Sequence, residues 1–174
     1  LVRALGLKIV LVTNGIIEEE PLKRLLPLID AMNVDIKSIR MEFYHRLCGG
    51  DGLAARRTVE LAYGQCAVEI TNLIIPHEND TPDEIAELAA WASSVSPQLP
   101  LHLSAYRPAW HLQNPATPVE TMQRAYEIAR EQLDYVYVGN INIESTCNTC
   151  CPKCQTVAVE RSGMTTTLHT KNGH

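Results

Sequence analysis

Val68–Asp80, VEITNLIIPHEND, decides the fold. It reads as a buried strand that stops in a polar elbow, followed at once by the helix start Thr81-Pro82-Asp83-Glu84. Strand, elbow and helix in this order form the repeating unit of an α/β barrel, whose chemistry sits in loops at the strand C-termini. Within the strand Glu69 and Thr71 alternate with Val68 and Ile70, so the polar groups share one face and the aliphatic ones face covering helices. A carboxylate on the inner face of such a strand is costly unless something uses it.

The same unit recurs on both sides. Strands are expected at 7–12, 33–37, 67–75, 99–106 and 135–141, each rich in Val, Ile, Leu or Tyr as parallel strands are. Apolar stripes between them mark helices: Leu22, Leu25, Leu26 and Ile29; Ile85, Leu88, Ala89 and Ala92; Met122, Ala125 and Ala129. Thr81-Pro82-Asp83-Glu84 and Thr117-Pro118-Val119-Glu120 both place Thr at the N-cap, Pro at the first helical position and Glu two residues later, the pattern of a capping box. Alternating strands and helices imply a parallel sheet with right-handed crossovers. A closed eight-stranded barrel typically needs about 250 residues. Five units in 174 residues therefore predict an α/β open sheet or partial (β/α) barrel, over residues 1–143, with a Cys-rich tail at 144–174. The chain opens on LVRALGLK without Met, and the expectation is a fragment.

Composition excludes some partners. A net charge of -5 argues against nucleic acid or an anionic membrane as the main partner, and no apolar run reaches the roughly 20 residues that span a bilayer. Of the six cysteines, Cys147, Cys150, Cys151 and Cys154 crowd into eight residues. Such crowding favours metal chemistry in a reducing cytosol over a secreted disulfide scaffold. Cys151-Pro152-Lys153-Cys154 is a C-x2-C knuckle that aims two thiolates at one metal, with Cys147 and Cys150 as lesser candidates. The expectation is half of a zinc-ribbon-like appendage, with Lys171-Asn172-Gly173-His174 as the turn before its second knuckle.

Period-two parity gathers polar groups on one face: Asp35 and Lys37 on the second strand, Glu69 and Thr71 on the third, His102, Ser104 and Tyr106 on the fourth. Asp35 and Lys37 read either as a structural ion pair or as ligand-facing groups. His102 alone reads more readily as a core histidine than as a ligand. Thr13-Asn14-Gly15 reads as a tight turn after the first strand. Cys48-Gly49-Gly50-Asp51-Gly52 is a flexible connector lacking the spacing and the lysine of a P-loop.

Taken in order, VTNG, VDIKS, CGG, VEITNLIIPHEND, PLHLSAYRP, ATPVETM, YVYVGNI and CPKC resemble radical S-adenosylmethionine enzymes of the AmmeMemoRadiSam-system type, relatives of pyruvate formate-lyase activating enzyme. The resemblance implies a partial (β/α) barrel holding S-adenosylmethionine and a [4Fe-4S] cluster that cleaves it reductively to start hydrogen abstraction from a substrate. It places Thr13, Asn14, Asp35, Lys37, Thr71, Asn72 and Arg107 around the cofactor, and Glu69, His102 and Tyr106 toward the substrate. It also implies a protein or small-molecule substrate, an electron donor such as flavodoxin or ferredoxin, and a cytoplasmic protein. The family's C-x3-C-x2-C cluster motif and its glycine-rich motif after the second strand have no counterpart in this chain, and Val12 stands where relatives carry Asp. The expectation is that the chain as given does not hold the cluster and is inactive by itself. Two other readings stay open: a barrel aldolase with Lys37 as Schiff-base lysine and Asp35 or Glu69 as its proton-transfer partner, and a non-catalytic metal-ribbon module on an inert barrel.

Overall fold

A computed structural model describes residues 2–170, so the expected turn at 171–174 lies outside the described residues. Strands β1 (Val10–Thr13), β2 (Ala31–Asp35), β3 (Ala67–Ile74), β4 (Leu101–Ala105) and β5 (Val136–Gly139) form one parallel sheet in the order β1-β2-β3-β4-β5. Between them run α1 (Glu19–Leu25), the single turn α2 (Met41–Phe43), α3 (Gly52–Ala62), α4 (Pro82–Val95) and α5 (Val119–Arg130). This is the parallel β/α arrangement of a partial barrel that the sequence predicts.

Alternation decides which face is covered. On β2 Met32 and Val34 are buried while Ala31, Asn33 and Asp35 are half-exposed, and β3 and β4 repeat the pattern. The buried set packs on Leu22, Leu26, Val59, Ile85, Leu88 and Met122 from the helices. Each such aliphatic side chain contributes about 2 kcal/mol relative to exposure. The other face is left for function. β1 has a neighbour on one side only, and its Val10 and Val12 are 62% and 73% exposed on that open face.

Two expected boundaries move for identifiable reasons. β2 ends at Asp35 and not at Lys37, because the Lys37 amide leaves the ladder and donates to the Tyr44 hydroxyl at 2.9 Å. The two capping boxes also diverge. Thr81 caps α4, accepting from the Glu84 amide at 3.3 Å, but the Glu84 side chain turns away to Ser38. Thr117 caps nothing. Its buried hydroxyl accepts from the Tyr106 amide at 2.8 Å and donates to the Ile74 carbonyl at 2.6 Å, tying β3 to the loop after β4. A hydroxyl offered two long-range backbone partners takes them over a helix end that solvent can satisfy.

The glycine connector is also structural. Residues Tyr44–Cys48 form a wide π turn that ends at Gly49 with φ of +61°, and Asp51 caps α3 by accepting from the Leu53 amide at 2.8 Å. Gly52 must lack a Cβ, which would stand 2.5 Å from the Tyr44 ring. The tail is more regular than its composition suggests. β6 (Thr149–Cys150), β7 (Val157–Ser162) and β8 (Thr165–Leu168) form an antiparallel sheet, the last two joined by a tight turn with Gly163 at φ of +58°.

Candidate functional site

Parallel register sets Asp35, Thr71, His102 and Tyr137 side by side across β2 to β5, and Leu73, Ser104 and Gly139 in the row nearer the strand C-termini. Asp35 Oδ2 and Lys37 Nζ form an ion pair at 3.0 Å, each side chain about a third exposed. The two readings left open for this pair therefore coexist, since the pair is formed and stands on the open face. Thr71 Oγ1 donates to Asn33 Oδ1 at 2.9 Å. Glu69 Oε2 meets His102 Nε2 at 2.9 Å, and this hydrogen bond is the main force holding the Glu69 carboxyl below the usual range, against partial burial that raises it. His102 is no core histidine. It stacks on Tyr137 at 5.1 Å between centroids, and Arg161 of β7 lies 5.6 Å from the same ring.

Two residues assigned to the cofactor face the wrong way. Asn72 and Thr13 have the opposite parity to Asp35 and Thr71 and lie on the helix-covered side. The Asn72 amide is buried and donates to the Ile36 and Lys37 carbonyls at 2.8 and 3.2 Å, leaving its Oδ1 without a partner. Thr13 Oγ1 accepts from the Gly15 amide at 3.1 Å and Asn14 Oδ1 from the Ile16 amide at 3.0 Å, so both side chains shape the turn after β1.

The elbow has a different part from the one its sequence advertises. Asn79 is 1% exposed; it donates to the Lys37 and Leu73 carbonyls at 2.8 and 2.9 Å and accepts from the Ile75 amide at 2.7 Å. With Asn72 and Tyr44 it fixes the backbone of Lys37 from three sides. Burial pushes the Tyr44 phenol up to about 12, so it remains a neutral acceptor for the Lys37 amide. One residue further on, Ser38 donates to Glu84, whose carboxyl is raised by burial and faces the Arg40 guanidinium at 3.5 Å. These groups aim Lys37. Glu78 pairs with Arg46 of the π turn, and Asn114 donates to the Pro76 carbonyl at 2.7 Å.

Beyond the strand ends Tyr106 is buried against Phe43 and Ile75, its hydroxyl donating to the Leu112 carbonyl at 2.6 Å. It lines a cavity of about 610 Å³ with Leu73, Arg107 and Asn140. Arg107 donates to the Asn140 carbonyl at 3.3 Å. A second cavity of about 460 Å³ adjoins it, bounded by Lys37, Phe43, Leu73 and the 109–112 turn.

The tail gives no metal centre among the described residues, where no three His, Cys, Asp or Glu side chains come together. Cys147 donates to the Arg161 carbonyl at 3.1 Å, and the Cys154 thiol, next to Thr156 Oγ1 at 3.3 Å, is lowered first by that hydroxyl and the Thr156 amide. Cys151 and Cys154 share the 151–156 turn as two thiols without further ligands. Four participants escaped the sequence reading: Asn33 and Tyr137 on the open face, Arg161 in the tail and the buried Asn79 in the elbow. Parity with Asp35 was a usable signal for Asn33, and parity with Gly139 for Tyr137. Nothing local marks Arg161, because its partner lies on another sheet.

No protein-family model matches the sequence. An uncharacterized protein of Methanocaldococcus jannaschii is 39% identical over 160 residues, covering 90% of this chain and 47% of its own length. The chain thus spans about half of the curated relative it matches. Among solved structures, a domain of pyruvate-formate lyase-activating enzyme from Bacteroides vulgatus is similar with a TM-score of 0.68 at 16% identity, over 79% of this chain and 84% of that one. A radical SAM methyltransferase from Sphaerobacter thermophilus is similar with a TM-score of 0.59 at 18% identity, over 83% and 46%. SuiB of Streptococcus suis is similar with a TM-score of 0.63 at 10% identity, over 80% and 34%. The fold is the radical SAM barrel type. Among the described residues no helix is long and apolar enough to cross a membrane.

Proposed function

We propose that the chain is part of a radical S-adenosylmethionine enzyme, residues 1–143 forming the barrel portion and 144–174 an appendage. The observation that carries this reading is the row of polar side chains on the uncovered face of a five-stranded sheet whose fold is shared with a pyruvate-formate lyase-activating enzyme domain and a radical SAM methyltransferase. In such an enzyme a [4Fe-4S] cluster and S-adenosylmethionine supply the hydrogen-abstracting chemistry. The described residues do not fit the cluster, since no three thiolates converge. They do fit a zwitterionic ligand: Asp35 and Lys37 offer a carboxylate and an ammonium 3.0 Å apart on the open face, beside Thr71. We assign these three to the amino-acid moiety of the cofactor, with Asn14 at the neighbouring turn. Asn72, Asn79 and Tyr44 act through the Lys37 backbone as positioning residues. Glu69 and His102 face the substrate side, where Glu69 orients the imidazole. The substrate is a protein or a small molecule, the electron donor a flavodoxin or ferredoxin, and the setting the cytoplasm. The Schiff-base alternative has less support, because the similar folds include a pyruvate-formate lyase-activating enzyme domain and a radical SAM methyltransferase.

The test uses the full-length Methanocaldococcus jannaschii relative, reconstituted anaerobically with iron and sulfide and reduced with dithionite. Release of 5′-deoxyadenosine from S-adenosylmethionine is expected, slowed by substitutions matching Asp35→Asn and Lys37→Met. A protein that shows cluster absorbance but yields no 5′-deoxyadenosine refutes the reading.

A further inference from the structure

The cavities of about 610 and 460 Å³ adjoin at the strand C-termini, with Leu73 and Ala109 lining both. Each falls in the size range of small-molecule pockets, which are mostly apolar with a few fixed polar groups. Their apolar walls include Phe43, Leu73, Ile75 and Leu112. Two features of the site lack a structural purpose.

The first is Trp110, which is 88% exposed and held at φ of +55°, a left-handed conformation that bulky side chains rarely adopt. The turn that carries it is fastened from three sides. Leu112 N donates to the Ala109 carbonyl at 3.2 Å, Tyr106 Oη to the Leu112 carbonyl at 2.6 Å, and Gln113 Nε2 to the Trp110 carbonyl at 2.9 Å. The indole is therefore presented at the cavity mouth by a built turn and covers none of the core.

The second feature is Arg107. Lys37, the other cation lining these cavities, is compensated by Asp35 at 3.0 Å. Arg107 has no carboxylate partner among the described residues and reaches only the Asn140 carbonyl, at 3.3 Å. Arg107 is exposed at the edge of a mostly apolar cavity, and a guanidinium with only a backbone acceptor is a ready partner for an anionic oxygen.

We infer that these adjoining cavities bind a flat, largely apolar molecule bearing a carboxylate or similar anion, its ring system against Trp110 and its anion at Arg107. This moves Arg107 from the cofactor to the substrate. Only the word substrate depends on the radical-enzyme reading; the binding site stands without it.

The probe is 2-naphthoate, with the neutral 2-naphthylmethanol as its comparison. Of the two tryptophans, Trp91 is bonded to Glu60 through its indole nitrogen, so Trp91→Phe leaves Trp110 as sole reporter. Saturable quenching of Trp110 emission by 2-naphthoate is expected. Arg107→Gln weakens naphthoate about tenfold and leaves the alcohol unchanged, since only the charge-assisted bond is lost. Trp110→Ala, followed by calorimetry, weakens both probes, with far-UV circular dichroism unchanged. Arg107→Gln binding naphthoate as tightly as the parent overturns the inference. So does one-for-one displacement of naphthoate by S-adenosylhomocysteine, which makes the cavity the cofactor's own. Failure of the 5′-deoxyadenosine assay alone leaves the binding result intact and removes only the radical chemistry.

Discussion

Replacing Asn79 by Ala tests whether the elbow after β3 is an internal clamp. The side chain is 1% exposed and makes three hydrogen bonds, at 2.7, 2.8 and 2.9 Å, to backbone groups of Ile75, Lys37 and Leu73. Each such bond contributes about 1 kcal/mol net, so their loss costs about 3 kcal/mol. The stranded Ile75 amide and Lys37 carbonyl add to that unless water enters. Against a total stability of roughly 5–15 kcal/mol this is a large fraction. Urea unfolding followed by circular dichroism, with a slope of roughly 2 kcal/mol/M, then shows the midpoint falling by about 1.5 M. Asn79→Asp fares no better, because a carboxylate keeps the Ile75 contact but turns an acceptor toward two carbonyls. Asn114→Ala, which removes the bond to the Pro76 carbonyl at 2.7 Å from the same elbow, is the control and costs about 1 kcal/mol. A loss below about 1 kcal/mol for Asn79→Ala, with unchanged slope, refutes the clamp.

Three further outcomes are expected. Gly15→Ala places a Cβ 2.6 Å from Val34 Cγ1 at a φ of +72°, and Gly52→Ala meets the Tyr44 ring at 2.5 Å; each lowers stability by about 1–3 kcal/mol in thermal melts, and an unchanged melting temperature for either contradicts the packing described. The Glu69 carboxyl is held below its ordinary value of 4.5, chiefly by His102, so its stabilising contribution is present above that value and is lost as pH falls through the lower folded one. Glu69→Gln accordingly flattens the acid limb of stability below about pH 4.5, and a limb unaltered by the substitution counts against the pair. Burial pushes Tyr44 up to about 12, so it ionises late in an alkaline titration followed at 295 nm, and Tyr44→Phe removes that late step from the six tyrosines.

The fold was legible because its signals are local. Alternation in 67–75 sorted Val68 and Ile70 from Glu69 and Thr71, and the structure buries the first pair, exposes Glu69 and half-exposes Thr71. Thr81 capped its helix as expected. The site was legible only as far as parity reaches. Asp35, Lys37, Glu69 and His102 were placed on one face, and they pair there as Asp35–Lys37 and Glu69–His102. Asn72 was misassigned because the resemblance set it beside Thr71, whereas consecutive strand residues point to opposite faces. Thr117 repeated the Thr81 motif and took another part, because the Ile74 carbonyl stood within reach of its hydroxyl.

The sequence by itself thus determined the order of strands and helices, the covered face and the open one, since those follow from side-chain period and backbone preference over a few residues. Tertiary structure alone decided which polar groups meet. Asn79 reaches the Lys37 carbonyl across 42 residues, Thr117 reaches Ile74 across 43, and Arg161 of the small sheet lies over Tyr137 of the large one. Such pairings are set by sheet register and by the paths of the connecting loops. Buried donors and acceptors must find partners wherever the fold brings them, and no local pattern records which partners those are.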